Sequence, residues 1–188
     1  MRSRALRSLA GVLILATLTA APGRSAKENS TWGIPNASFP LPGVMAAGQP
    51  TGTQIQLMVE EGGYRTVIDL RPPDEQRGFD EAETARQIGL TYVNIPVTPA
   101  TLDQATIDRF LDAFRKAERP LLLHCSTSNR VGGMLYACLV LEKKESPAKA
   151  LEQARAAGLR SPEITEKVQK LVAERQGAPA KPATRPRG

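Results

Sequence analysis

The chain has 188 residues, enough for one domain with a real core and too few for two large ones. Its apolar fraction of 41% and charged fraction of 23% are those of an ordinary soluble globular protein. The net charge of +6 is carried by the chain ends: residues 27–175 hold 18 Lys and Arg against 19 Asp and Glu, about −1, which argues against nucleic-acid binding.

Residues 1–26 have the layout of an export signal: Arg2, Arg4 and Arg7, an apolar run over 9–21, then small residues that suit cleavage after Ala21 or nearer Ala26. The run is short and weakly flanked for a membrane span, which needs ~20 apolar residues, and an uncleaved amino-terminal anchor helix is the alternative reading. The mature chain is therefore expected to be periplasmic or secreted, with no stable membrane span after signal cleavage.

Residues 27–42, rich in Ser, Asn, Gly and Pro without a period, read as an irregular lead-in, with Trp32 and Phe39 tucked onto the domain. The domain proper is expected over 43–175. A short strand over 44–47 runs into the turn Gly48-Gln49-Pro50, and Thr51 or Thr53 caps a helix over 54–61 that Gly62-Gly63 ends. Residues 64–70, β-branched and aromatic, read as a central strand. The polar loop Arg71-Pro72-Pro73-Asp74-Glu75-Gln76-Arg77-Gly78 follows, then a helix over 79–88 and a strand over 90–97. Ile107, Phe110, Leu111 and Phe114 mark one face of a helix over 102–117, and Pro120 opens a fourth strand that delivers Cys125. Three helices complete the domain: one to Leu141, one from Ser146-Pro147 to Gly158, and one from Ser161-Pro162 to about Arg175. Residues 176–188 have no large apolar side chain and read as a disordered tail. The alternation predicts a three-layer α/β domain, a mainly parallel central sheet with helices on both faces. In such folds the site lies at the carboxyl ends of the strands, where Arg71, Thr98 and Cys125 fall.

The stretch His124-Cys125-Ser126-Thr127-Ser128-Asn129-Arg130-Val131-Gly132-Gly133 lies between two apolar runs and reads as strand, tight loop, helix. A thiol at a helix amino terminus, beside a guanidinium, is favoured as the thiolate. The same amides and arginine cradle an oxyanion such as phosphate, so one loop supplies both a nucleophile and an anion site. The chain has two cysteines, Cys125 and Cys138. With a helix starting near Arg130, Cys138 lies ~12 Å along it, beyond the ~7 Å between Cα atoms that a disulfide tolerates, and reads as a buried small hydrophobe. His124 is the single histidine, which makes a zinc site hard to build, and no metal or other cofactor is expected.

Taken in order, Gly48-Gln49-Pro50-Thr51, Val67-Ile68-Asp69-Leu70-Arg71 with the acidic loop after it, the stretch from Tyr92 to Val97, and His124-Cys125 through Gly132 resemble the bacterial beta-lactamase-hydrolase-like phosphatases, a branch of the dual-specificity tyrosine phosphatase superfamily. The resemblance covers about residues 40–160. It implies a cysteine-dependent phosphatase-like fold with Cys125 as nucleophile and Arg130 as phosphate ligand. The implied phosphate cradle is the backbone of Ser126, Thr127, Ser128, Asn129 and Arg130, and His124 supports the loop. The implied reaction is hydrolysis of a phosphomonoester, on a small molecule or a protein, through a cysteinyl-phosphate without a metal.

Three departures bear on turnover. Four residues stand between Cys125 and Arg130 where the superfamily usually has five. That spacing is also found in rhodanese sulfurtransferases, so a persulfide on Cys125 is a second reading. Ser128 stands where a glycine is common, and is strained if the position needs a positive φ. Val131 stands where a hydroxyl often assists the leaving thiolate. A catalytically weak phosphate-binding or interaction module is therefore a third reading. No acid follows the strand over 90–97 directly, which leaves Asp103 as the general acid, with Asp74 or Glu75 as alternatives. Asp103 is also placed to favour a helix amino terminus. Asp69 is expected to be structural, and Arg71 to form a salt bridge with the Asp74-Glu75 loop.

Overall fold

The computed structural model describes residues 30–75 and 78–177. The leader expected over 1–26, the first residues of the lead-in and the tail from residue 178 lie outside the described residues.

The chain runs β1 (Ser38–Leu41), β2 (Val44–Ala47), α1 (Gly52–Gly62), β3 (Thr66–Asp69), α2 (Glu81–Gln87), β4 (Thr91–Asn94), α3 (Gln104–Lys116), β5 (Leu121–His124), α4 (Asn129–Leu141), α5 (Pro147–Ala156) and α6 (Pro162–Gly177). Local chemistry sets the helix ends. Thr51 and Gln54 form a reciprocal capping box at α1, and Gly63 closes that helix in the left-handed region at φ 66°. Asp80, Asp103 and Ser146 each accept an amide hydrogen bond at the start of α2, α3 and α5.

The strands form one sheet in the order β1-β2-β5-β3-β4, parallel except for β1, which pairs antiparallel with β2. That strand corrects the expected irregular lead-in. Pro40 and Pro42 hide it in the sequence, yet proline is tolerated on an edge strand. Trp32 and Phe39 pack against the core as expected. At the other end, α6 carries two residues beyond the helix end expected at Arg175 and includes Gln176 and Gly177 of the expected tail.

Side chains alternate across the sheet and divide the core in two. In β5, Leu121 and Leu123 join the cluster that α3, α4, α5 and α6 cover, while Leu122 joins the cluster under α1 and α2. Burial at this level contributes about 1.5–3 kcal/mol per leucine. Helix α4 is buried from Val131 to Val140, and it admits its neighbours closely because two positions lack a side chain. A Cβ on Gly132 would lie 2.5 Å from Leu159 N and 2.6 Å from Ala154 O, and one on Gly133 would lie 2.6 Å from Ile164 Cγ2. This packing fixes the start of α4 against the carboxyl ends of the strands. Among the described residues no helix is long and apolar enough to cross a membrane.

Candidate active site

β5 ends at His124 and α4 begins at Asn129, so the loop from Cys125 to Ser128 is held between two rigid elements. From β2, the Gln49 N–H donates to Ser126 O at 3.1 Å, Gly48 bridges to Thr127, and the Cys125 N–H donates to Ala47 O at 3.3 Å. A Cβ on Gly48 would sit 2.9 Å from Ser126 O and 3.0 Å from Pro35 O, so this approach requires glycine. From the other flank, Ser128 Oγ donates to Ala157 O at 2.7 Å, and Asn129 Oδ1 accepts from the amides of Arg160 at 2.7 Å and Ser161 at 2.9 Å.

Ser128 is the N-cap of α4 at φ 67°, the left-handed conformation that usually selects glycine. It costs roughly 1–2 kcal/mol in an L-residue, which a buried hydrogen bond of about 1 kcal/mol partly offsets. Because its hydroxyl turns to Ala157 O, it does not cap the helix, and the amides of the first turn face the loop uncapped by it. Val131 is fully buried in the core.

Arg130 reaches from the first turn of α4 to Glu75, Nη1 to Oε2 at 2.7 Å and Nη2 to Oε1 at 2.8 Å. Burial works against the charge on this guanidinium, but the Glu75 carboxylate and the Cys125 thiol beside it more than compensate, and its pKa is raised. The pair stands in a cavity of about 360 Å³ lined also by Thr98, Pro99, Ser126, Thr127, Asn129 and Ser161. Cys125 is 1% exposed and adjoins this cavity without lining it. A larger hollow of about 500 Å³ lies at the opposite ends of the strands, against Phe39, Tyr64 and Pro120. Its one titratable side chain, Tyr64, is pushed up by burial to about 12, so the chemistry belongs to the smaller cavity.

Behind the loop, four ionisable side chains share a buried interior. Asp69 Oδ1 accepts from Arg71 N and Nε, both at 2.9 Å, and Oδ2 accepts from Arg71 Nη2 at 3.1 Å and from the Tyr92 hydroxyl at 2.9 Å. Arg71 Nη2 also bonds Glu81 Oε2, and His124 Nε2 stands 2.7 Å from Glu81 Oε1 in a polar contact not aligned as a hydrogen bond. All four side chains are 0% exposed. Burial acts to raise the Asp69 pKa, but Arg71 and then His124 outweigh it and the pKa is lowered. Asp69, Glu81 and His124 converge closely enough to hold a cation. The Arg71 guanidinium already occupies both carboxylates, so the donor set fits an ion-pair network.

Of the five expected cradle residues, Ser126, Thr127, Asn129 and Arg130 line one cavity, while Ser128 is buried and does not. Asp69 lies in the ion-pair network, and Cys138 is buried as expected, its thiol pushed up to about 11 by burial. Both cysteines are free. Other expectations need correction. Asp103 caps α3 through Thr106 N at 2.7 Å and does not line the cavity; that backbone hydrogen bond lowers its pKa. Asp74 is exposed and is also absent from the lining. Of the three acids considered, Glu75 alone reaches the site, as the ion-pair partner of Arg130. Among the described residues Arg71 pairs with Asp69 and Glu81 rather than with Asp74 or Glu75. Glu81 was not foreseen, because in sequence it is one more acid in a helix's first turn.

A family model described as "DSP-PTPase phosphatase fused to NAD+ Kinase" matches residues 43–171. Among curated proteins, a beta-lactamase hydrolase-like protein of Xylella fastidiosa is 37% identical over 95 residues, 48% of this chain and 22% of that one. A protein of the same description from Agrobacterium fabrum is 31% identical over 88 residues, 45% of this chain and 20% of that one. The matched segment thus spans about a fifth of these relatives' length. Among solved structures, the DUF442 protein of Shewanella putrefaciens CN-32 aligns with a TM-score of 0.62 at 22% identity, covering 76% of this chain and 94% of that one. PTPMT1 aligns with a TM-score of 0.61 at 16% identity, covering 73% and 94%. Tk-PTP aligns at 0.62 and 18%, covering 74% and 97%. At these identities the likeness is one of fold.

Proposed function

Since the chain belongs to the family described as DSP-PTPase phosphatase fused to NAD+ kinase, we propose that it hydrolyses a phosphomonoester through a cysteinyl-phosphate on Cys125. The observation that carries this reading is the cavity in which Arg130 and the uncapped first turn of α4 flank the loop that begins at Cys125. The Cys125 thiolate attacks phosphorus in line; the S–P bond forms as the bond from phosphorus to the leaving oxygen breaks, and that oxygen takes its proton from solvent. Arg130 and the loop amides hold the equatorial oxygens. Water then cleaves the S–P bond, releasing phosphate and returning the thiolate.

His124 acts from behind, its Nε2 2.7 Å from Glu81 Oε1 and 3.8 Å from Asp69 Oδ1. Ser128 and Asn129 serve through their backbone, since their side chains are engaged with residues 157, 160 and 161. The substrate is a phosphorylated small molecule or protein; PTPMT1, of similar fold, has been crystallised in complex with PI(5)P. Residues 1–26 direct the domain out of the cytoplasm, to the periplasm or beyond, which fractionation and the mass of the mature chain test directly.

The central experiment is hydrolysis of an aryl phosphate by the wild type and by Cys125→Ser. Activity that disappears in the variant supports the proposal. Thiocyanate formation from thiosulfate and cyanide, with no phosphate released, would replace it with sulfur transfer. Loss of both activities, with phosphate still raising Tm, would leave a binding module.

A further inference from the structure

We propose that Glu75 is an internal competitor for the phosphate site, holding the Arg130 fork until a phosphoryl group displaces it. The inference rests on the reading of Arg130 as the phosphate ligand and adds to it a rule for how the site is entered.

The guanidinium fork binds a carboxylate and a phosphate through the same parallel N–H groups. Glu75 uses two of them, at 2.7 and 2.8 Å, so both cannot be served at full strength. The two partners lie 55 residues apart, and Arg130 projects from the first turn of a buried helix whereas Glu75 stands in the loop after β3. Among the described residues, little holds Glu75 in place apart from this pair. Its amide closes a turn on Pro72 O at 3.2 Å, its neighbour Asp74 is exposed, and a Cβ on Gly78 farther along the loop would meet nothing within 4 Å. Its side chain is 28% exposed against 14% for Arg130, so it can swing outward without opening the core. The nucleophile is meanwhile closed off, with Cys125 at 1% exposure and interacting with the same guanidinium. A carboxylate left in the fork would also repel the incoming phosphoryl oxygens. Displacement therefore frees the anion ligand and removes a like charge in one movement.

The test is titration calorimetry of the full chain with inorganic phosphate at low ionic strength, in wild type, Glu75→Gln, Glu75→Ala and Arg130→Ala. Competition from a partly exposed ion pair predicts that phosphate binds about fivefold tighter in both Glu75 variants. Phosphate binding should be lost in Arg130→Ala. Unchanged or weaker binding in both Glu75 variants, with binding still dependent on Arg130, would overturn the competitor role alone and make Glu75 a brace for Arg130. Binding that is absent from every variant, or indifferent to Arg130, would overturn the phosphate reading itself.

Discussion

Glu81 offers the sharpest test of how the site is supported. Its carboxylate is fully buried, with one oxygen bonded to Arg71 and the other 2.7 Å from His124. Removing it in Glu81→Ala leaves a guanidinium and an imidazole facing each other around the single remaining carboxylate, Asp69. Breaking a buried pair by deleting one partner costs about 3–5 kcal/mol, a large part of the 5–15 kcal/mol that holds a domain together. At about 2–4 °C per kcal/mol for a chain of this size, Tm should fall by roughly 6–20 °C. Glu81→Gln keeps the shape and one acceptor oxygen, and should lose less. Calorimetry on both variants, with urea unfolding as a second measure, decides the matter. A loss below about 1 kcal/mol in Glu81→Ala would refute the claim that the network holds the strand ends together.

Three further outcomes are expected. Gly132→Ala forces a methyl group between Leu159 N and Ala154 O, backbone atoms that cannot swing aside, and should cost about 1–3 kcal/mol in urea unfolding; full stability would show that α4 and α5 have room to separate. The pKa of Asp69 is depressed in the fold, so the stability it contributes is present above its unfolded value of about 4 and is lost as pH falls through the lower folded value. Urea midpoints between pH 5 and 3 should therefore fall less steeply in Asp69→Asn than in wild type, and parallel slopes would contradict this. Among the described residues Glu75 is the one carboxylate lining the cavity, and both its oxygens are engaged by Arg130 or, once displaced, turned away from the site, which leaves no positioned acid for the leaving oxygen there. A positioned acid usually contributes 10²–10⁴-fold, so kcat/KM should favour aryl over alkyl phosphates by at least about 100-fold, and a flat dependence on leaving-group acidity would reveal an acid supplied from elsewhere.

Much of the fold was legible because its signals are local. Thr51, Ser146-Pro147 and Ser161-Pro162 mark helix starts within a residue or two, and the run over 121–123 announces an interior strand. The positive φ of Ser128 was foreseen as a condition and is met, because the demand comes from the loop's own geometry. What escaped depends on contacts between distant segments. Asp80 and Glu81 are adjacent acids at one helix start, yet Asp80 caps α2 at the surface while Glu81 turns inward to Arg71 and His124. Nothing in the spacing of charges separates those roles before α2 is docked on the sheet. The hold of Glu75 on Arg130 spans 55 residues and depends on where the loop after β3 folds back. Strand β1 was lost to its prolines, which signal a turn in isolation and an edge once β2 is present to pair with it.

The fastening of the loop also bears on the thermodynamics of recognition. Ser126 O is tied to the segment after β2 on one flank, and the Ser128 hydroxyl and the Asn129 carboxamide to residues 157–161 on the other. Fixing a residue's backbone costs about 1–2 kcal/mol in conformational entropy, and here that cost falls on folding. An arriving anion meets a loop whose backbone is already anchored, so the entropic penalty of association falls mainly on the ligand's own translation and rotation and on the side chains of Arg130 and the displaced carboxylate.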